Sequence, residues 1–167
     1  MIEAPEVAGP LLSLDIPGSP VAKARHRVRA PTATQLIRWV RSGASPRTMP
    51  RPQLYQPATG PTAQWERLAA MLMRSKFRQA PISGPVAVHT VSVMPRPQRI
   101  PKRQPGRTWA PKKPDLDNIV KSILDAVVMA RVIEDDRLVV QITAEQVYAA
   151  IGEAAHTELT ISGVQPL

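Results

Sequence analysis

Prolines divide this chain into segments that can form regular structure and segments that cannot. The sequence has 19 prolines among its 167 residues, and six of them lie between residues 95 and 114. Proline lacks a backbone N–H and has a fixed φ, so it interrupts helices and the interior of sheets. We therefore predict two flexible basic loops, one near residues 30–52 and one over residues 95–113, and no regular structure in the second.

Hydrophobic periodicity in the other segments predicts a small sheet and two main helices. Apolar residues alternate or run together in four segments, and a spacing of three to four residues occurs in two more. These patterns predict strands over residues 11–16, 86–94, 138–144 and 157–161, and helices over residues 62–79 and 118–131. Together they predict one α+β domain over residues 1–167, in which a small mixed sheet packs against the two helices.

Charge is segregated along the chain. Of the 22 Lys and Arg residues, 19 lie between residues 16 and 114, where Glu66 is the only acid, whereas residues 115–167 hold nine acids and three bases. Such segregation is costly unless a polyanion or a cation balances each part. A phosphate backbone would balance the basic part and a divalent metal the acidic part. The alternative is that the two kinds of charge simply intermix in space.

Two absences narrow the classes of protein. The chain has no cysteine, which excludes disulfides and thiolate metal ligands. No apolar run approaches the roughly 18 residues of a transmembrane helix, and the acidic N-terminus lacks the basic start of a signal peptide. We therefore expect a cytoplasmic protein with no membrane partner.

Carboxylates cluster near the start of the acidic part. Asp115 and Asp117 are two residues apart, so their side chains point the same way in an extended segment. Asp136 begins a later strand, and we expect it near Asp115 if the intervening helix packs back on the sheet. Three such carboxylates suit Mg²⁺ or Mn²⁺. Lys121 can then stabilise charge on a phosphate, and Asn118 can orient a carboxylate or a water; the alternatives are an ordinary i,i+4 ion pair and a helix-terminus residue.

The chain resembles the RusA family, the Holliday-junction resolvases of bacteria and their phages. The resemblance rests on the run Lys113-Pro-Asp-Leu-Asp-Asn-Ile-Val-Lys-Ser-Ile-Leu-Asp125-Ala, which is followed nine residues later by Asp135-Asp136, and on the opening segment Ile16-Pro-Gly18-Ser-Pro20-Val-Ala-Lys23-Ala-Arg25. It implies a RusA-like α/β homodimer with two active sites, which cuts four-way DNA junctions in a reaction that requires Mg²⁺ or Mn²⁺.

The resemblance also implies a role for each residue of the motif. Asp115, Asp117 and Asp136 match the metal-binding catalytic carboxylates, and Lys121 matches the catalytic lysine. Asp135 is the adjacent acid and has a supporting role at most, like Asn118.

Basic residues in two segments are the predicted DNA contacts. The first segment is an alternating strip that shares one face of an extended chain, and the second is the basic loop that leads into the acidic motif. The predicted contacts are Lys23, Arg25 and Arg27 in the strip and Arg99, Lys102, Arg103, Arg107, Lys112 and Lys113 in the loop. The alternatives are an edge strand protected by charge and a solvated linker.

Two other function classes compete with a nuclease. One is a catalytically silent DNA-binding protein of phage recombination or packaging, against which all three aspartates and the lysine argue. The other is a metal-dependent nucleotide or sugar-phosphate transferase, which would be expected to carry a Gly-rich phosphate loop.

Overall fold

The computed structural model describes residues 7–23, 27–55 and 59–165. These residues form seven strands and three helices, which are β1 (Val7–Pro17), β2 (Arg27–Arg29), α1 (Ala33–Arg41), β3 (Gln53–Tyr55), α2 (Pro61–Lys76), β4 (Val86–Met94), β5 (Thr108–Trp109), α3 (Leu116–Met129), β6 (Val139–Tyr148) and β7 (His156–Val164). No helix in this part of the chain is long and apolar enough to cross a membrane.

The chain divides into two compact units where the sequence predicts one domain. One unit comprises residues 24–60 and the other comprises the chain before and after that segment. In the smaller unit β2 pairs with β3, and α1 occupies nine residues of the predicted 30–52 loop. A capping box explains this helix: Thr32 Oγ1 accepts a hydrogen bond from Gln35 N at 3.2 Å, and Gln35 Oε1 accepts one from Thr32 N at 2.9 Å.

A five-stranded mixed sheet forms the centre of the larger unit. Its strand order is β1-β7-β4-β6-β5; β4 and β6 are parallel, and the other neighbours are antiparallel. Parallel neighbours need a crossover that returns the chain to the same end of the sheet, and α3 lies in that crossover. The predicted α+β class, with a small mixed sheet and two main helices, is confirmed.

Helices α2 and α3 bury their apolar faces against one face of this sheet. Met73 of α2 and Ile119 and Ile123 of α3 are almost completely buried, in one cluster with Val86 and Ile161 of the sheet. Burying each such side chain contributes about 1.5–3 kcal/mol. Helix α3 begins two residues earlier than predicted, and α2 ends three residues earlier than predicted.

Backbone carbonyls organise the proline-rich segment around one arginine. The Arg96 guanidinium donates hydrogen bonds to four of them, those of Pro101, Gln104, Gly106 and Ala149. Just after Gly106, Thr108 and Trp109 pair with Tyr148 and Val147 of β6. The expectation of no regular structure here is therefore wrong at β5, whose residues lie in the proline-free stretch 106–110.

Lys23 ties the end of the first strand segment to both main helices. Its backbone N donates to Asn118 O at 2.8 Å, and its Nζ donates to Glu66 Oε1 at 3.0 Å and also to Asp125. The lysine side chain is 19% exposed and that of Glu66 is 9% exposed. Burial disfavours the charged ammonium, but the hydrogen bonds to Asp125 and Glu66 outweigh it and raise the pKa of Lys23.

We expect Lys23→Met to destabilise the fold by about 3–5 kcal/mol, because it leaves Glu66 buried without a counter-charge. Urea unfolding at neutral pH measures the loss. The matched control is Lys102→Met, which removes an exposed lysine of the proline-rich segment and should change stability by less than about 0.5 kcal/mol.

Combining Lys23→Met with Glu66→Gln should recover much of the missing stability, since no unpaired charge then remains at this position. Equal midpoints for Lys23→Met and the parent protein would contradict this role for Lys23.

Candidate metal centre

The N-terminus of α3 presents two carboxylates to solvent. Asp115 occupies the N-cap position with an extended backbone (φ −70°, ψ 136°), but its side chain makes no capping hydrogen bond. Asp117 lies in the first turn of the helix, where the helix dipole favours a negative charge. Both side chains are exposed. Neither carboxylate is needed to cap the helix, so their oxygens are available to a ligand.

Two neighbours contact Asp117. Lys121 Nζ lies 3.4 Å from one carboxylate oxygen of Asp117, and Asn118 Nδ2 donates to the other at 3.4 Å. Lys121 and Asp117 are largely exposed, so this i,i+4 pair contributes only a few tenths of a kcal/mol. The ammonium can therefore leave Asp117 for an incoming anion at little cost.

An open cleft lies beside Asp115. Residues 110–116 and Gln146 line its volume of about 730 Å³. Gln146 Nε2 donates to Lys112 O at 3.2 Å and to Pro114 O at 3.1 Å, which fixes the segment before Asp115 at the C-terminal end of β6. The Lys113–Pro114 peptide bond in this segment is cis. Lys112 and Lys113 are exposed and place positive charge in the lining of the cleft.

Asp136 lies in a short 3-10 turn that precedes β6. The turn spans Asp136–Leu138, and Asp135 caps it by accepting a hydrogen bond from Arg137 N at 3.0 Å. That backbone hydrogen bond and the nearby Arg137 charge lower the pKa of Asp135. Asp135 thus shapes the turn, whereas the side chain of Asp136 is exposed.

One chain does not bring Asp136 to Asp115 and Asp117. Gln146 marks the end of β6 next to Asp115, and Val139 marks the end next to Asp136, so about 23 Å of strand separates them. Within the described residues no group of three His, Asp or Glu side chains could hold an ion. The expected convergence within one chain is wrong, because α3 carries the chain to the far end of the sheet before β6 begins.

Among the predicted DNA contacts of the alternating strip, the structure describes the side chain of Lys23 only. The Lys23 ammonium is bound to two carboxylates, so we withdraw Lys23 from the predicted contacts. Arg25 lies outside the described residues, and so does the side chain of Arg27, whose backbone begins β2.

The predicted contacts of the loop fall into two groups. Arg107 forms ion pairs with two glutamates of the same chain. Its guanidinium donates to Glu153 at 2.9 Å and to Glu158 at 2.6 Å, and these bonds raise the pKa of Arg107. The five others are exposed and remain predictions: Arg99, Lys102, Arg103, Lys112 and Lys113.

Sequence reasoning missed the role of two residues. Gln146 holds the segment before Asp115, and nothing in the sequence around it indicates this. Glu66 binds Lys23, and a signal for it existed: it is the only acid in a long basic region and lies beside the apolar stripe of α2.

Comparison with known proteins covers nearly the whole chain. The model of a protein family described as endodeoxyribonuclease RusA matches residues 17–162, a range that contains β4, β5, β6, most of β7, both main helices and all of the candidate carboxylates. No curated protein matches the chain. The match includes the motif at the start of α3 and extends over most of the chain. The chain therefore belongs to the RusA endodeoxyribonuclease family.

Proposed function

We propose that this protein is a divalent-metal-dependent endonuclease that resolves four-way DNA junctions in recombination and repair. Its family acts on branched DNA. The observation that carries the proposal is the unused carboxylate of Asp115, which lines a cleft together with Lys112 and Lys113. Acidic ligands beside basic side chains are what the hydrolysis of a phosphodiester needs.

Asp115 and Asp117 fit Mg²⁺ or Mn²⁺, because both offer exposed carboxylate oxygens, and only the weak contacts of Lys121 and Asn118 occupy those of Asp117. A bound ion supplies polarisation of the phosphate and a water of lowered pKa. Asn118 orients the Asp117 carboxylate from one side. Lys121 moves from Asp117 to the phosphate oxygens and stabilises the negative charge that develops there.

Two carboxylates from one chain leave the third position of the site open, and the edge of β6 indicates what fills it. Among the described strands only β5 pairs with the outer edge of β6, and it reaches only Val147 and Tyr148. The rest of that edge carries Val140, 59% exposed, and Ile142, 46% exposed. An open apolar edge is a template for pairing with another strand.

A second copy paired antiparallel along this edge would complete the site. Around a two-fold axis the N-terminal end of one β6 lies beside the C-terminal end of the other. Asp136 of the second copy would then approach Asp115 and Asp117 of the first. The homodimer would have two such sites related by symmetry, which suits paired cuts in a junction that is itself symmetric.

Asp117→Asn should lower the rate of junction cleavage by about two orders of magnitude or more, because it removes a metal ligand. Cleavage of an end-labelled synthetic four-way junction, compared with linear duplex and with a chelator present, measures it. Junction binding in chelator should stay unchanged. Asp15→Asn, which alters an exposed aspartate of β1, is the matched control. Cleavage at the parent rate would exclude Asp117 from the reaction.

Mixing Asp117→Asn with Asp136→Asn should restore cleavage that neither variant shows alone. A mixed dimer holds one site with both changes and one intact site, so random exchange recovers about a quarter of the parent nicking rate. Mixing Asp117→Asn with Asp115→Asn is the control and should stay inactive, since each site then lacks a ligand. Absence of recovery in the first mixture, once mixed dimers are detected by mass spectrometry, would rule out a shared site.

Changing Arg99, Lys102 and Arg103 to Gln should weaken junction binding. The slope of log K against log salt should fall by about one for each phosphate group that the variant no longer neutralises. Titrations at several salt concentrations in chelator measure the slope. Arg78→Gln removes an exposed arginine just beyond α2 and should leave the slope unchanged. An unaltered slope in the triple variant would remove the loop from the DNA interface.

A further inference from the structure

Trp109 is exposed on a rigidly held strand. Its side chain is 70% exposed, although its backbone pairs with Val147 and the next residue, Ala110, donates its N–H to Gln146 O at 3.1 Å. These contacts fix the strand register and therefore the face of the sheet on which the indole lies. A ring held in this way loses little conformational freedom when a ligand stacks on it.

A cavity of about 540 Å³ lies beside the indole. It is lined by Val91, Arg107, Thr108, Trp109, Glu145 and Val147. The strand register explains this set: Trp109 pairs with Val147 and Glu145 pairs with Val91, and paired residues point to the same face of the sheet. This face is opposite α2 and α3, whose cluster includes Val86 and Val88 but not Val91. The cavity is within the size range of sites for small ligands.

Each wall of the cavity has a distinct chemical character. Val91 and Val147 are buried and make an apolar floor. Arg107 is held by Glu153 and Glu158, so it forms a fixed wall rather than a mobile phosphate ligand. The carboxylate of half-buried Glu145 has no hydrogen-bond or ion-pair partner among the described residues. An apolar floor, one exposed aromatic ring and one open acceptor fit a flat ring that carries an N–H donor.

We propose that this cavity binds an unpaired base of the DNA substrate, an inference that rests on the proposed function. The base stacks on Trp109, as bases stack on aromatic side chains in proteins that bind single strands. Its exocyclic amino group donates to Glu145. Cytosine, adenine and guanine carry such a group and thymine does not, so the cavity prefers the first three; cytosine N4 is the best-matched donor for a carboxylate.

The cavity lies close to the candidate metal centre. Gln146 connects them, since its backbone O accepts from Ala110 N and its side chain bonds to the carbonyls of Lys112 and Pro114. Asp115 follows Trp109 by six positions in the chain, so at most about 20 Å of chain separates them, which is the length of about six nucleotides along one DNA strand. The bound base therefore belongs to the branch point near the cut, where unstacking a base costs least.

Binding of 12-nucleotide dC and dT strands, measured by fluorescence anisotropy with chelator, tests the proposal. We expect the parent protein to bind dC more tightly than dT. Trp109→Ala should weaken dC binding by about tenfold, and Trp109→Phe should retain most of it, because a phenyl ring still stacks. Glu145→Gln should abolish the preference for dC. Melting temperatures close to that of the parent protein show that the variants fold.

Three results of the DNA-binding measurements would overturn the base-binding proposal. They are parent-like dC binding by Trp109→Ala, an equal loss in Trp109→Phe, and equal binding of dC and dT by the parent protein. A change in dimer fraction without a change in DNA affinity would also overturn it and would assign Trp109 to the contact between copies. All of these binding measurements are made without metal, so they can be interpreted even if Asp117→Asn shows that the proposed nuclease site is wrong. If the protein cleaves junctions but the cavity does not bind a base, only the base-binding proposal is refuted.

Discussion

The parallel pairing of β4 with β6 is the constraint on which the rest of the structure depends. It requires a crossover, and α3 fills that crossover with a helix that runs back along the sheet. The N-terminus of α3, with Asp115 and Asp117, therefore lies at one end of β6. Asp136, which comes after the helix, lies at the other end. The same pairing buries Ile119 and Ile123, so the helix cannot change direction without loss of the core.

Ion pairs within the chain narrow the surface available to DNA. The formal charge of +9 indicates a broad basic face, but two of the basic side chains are each bound to a pair of carboxylates. Lys23 stabilises the contact between the helices, and Arg107 fixes the proline-rich segment to the β6–β7 turn. Arg96 is likewise bound to carbonyls. Among the basic side chains that remain exposed in that segment, Lys112 and Lys113 line the cleft beside Asp115.

The sequence predicted most of the larger unit because periodic burial is a local signal. The apolar alternation of β1 and β4 and the stripes of α2 and α3 located all four elements to within a few residues. The motif at Asp115 could be recognised for the same reason, since its residues are adjacent in the chain. Contacts between distant residues were harder to predict: nothing in the sequence indicates that Gln146 binds Pro114, and the isolation of Glu66 in a basic region does not indicate that Lys23 is its partner.

The sequence also did not indicate at which end of the sheet β6 begins. Asp136 was correctly expected just before a strand, but which end of the sheet that strand begins at depends on the handed path of the whole crossover. Helix α1 lies in the segment 30–52, where the prolines and arginines indicate a flexible loop, whereas two side chains, Thr32 and Gln35, are enough to start a helix. Local composition thus misled where a few hydrogen bonds decided the outcome.

The exposed Val140 and Ile142 have a consequence for how such a protein would behave in a cell. If two copies pair along β6 as proposed, a single molecule lacks one of the carboxylates of its site and is inactive, and cleavage requires that two copies associate. At low abundance the rate of strand scission would then rise with the square of the protein concentration. Such a protein would cleave chromosomal DNA only slowly until its concentration was high enough for dimers to form.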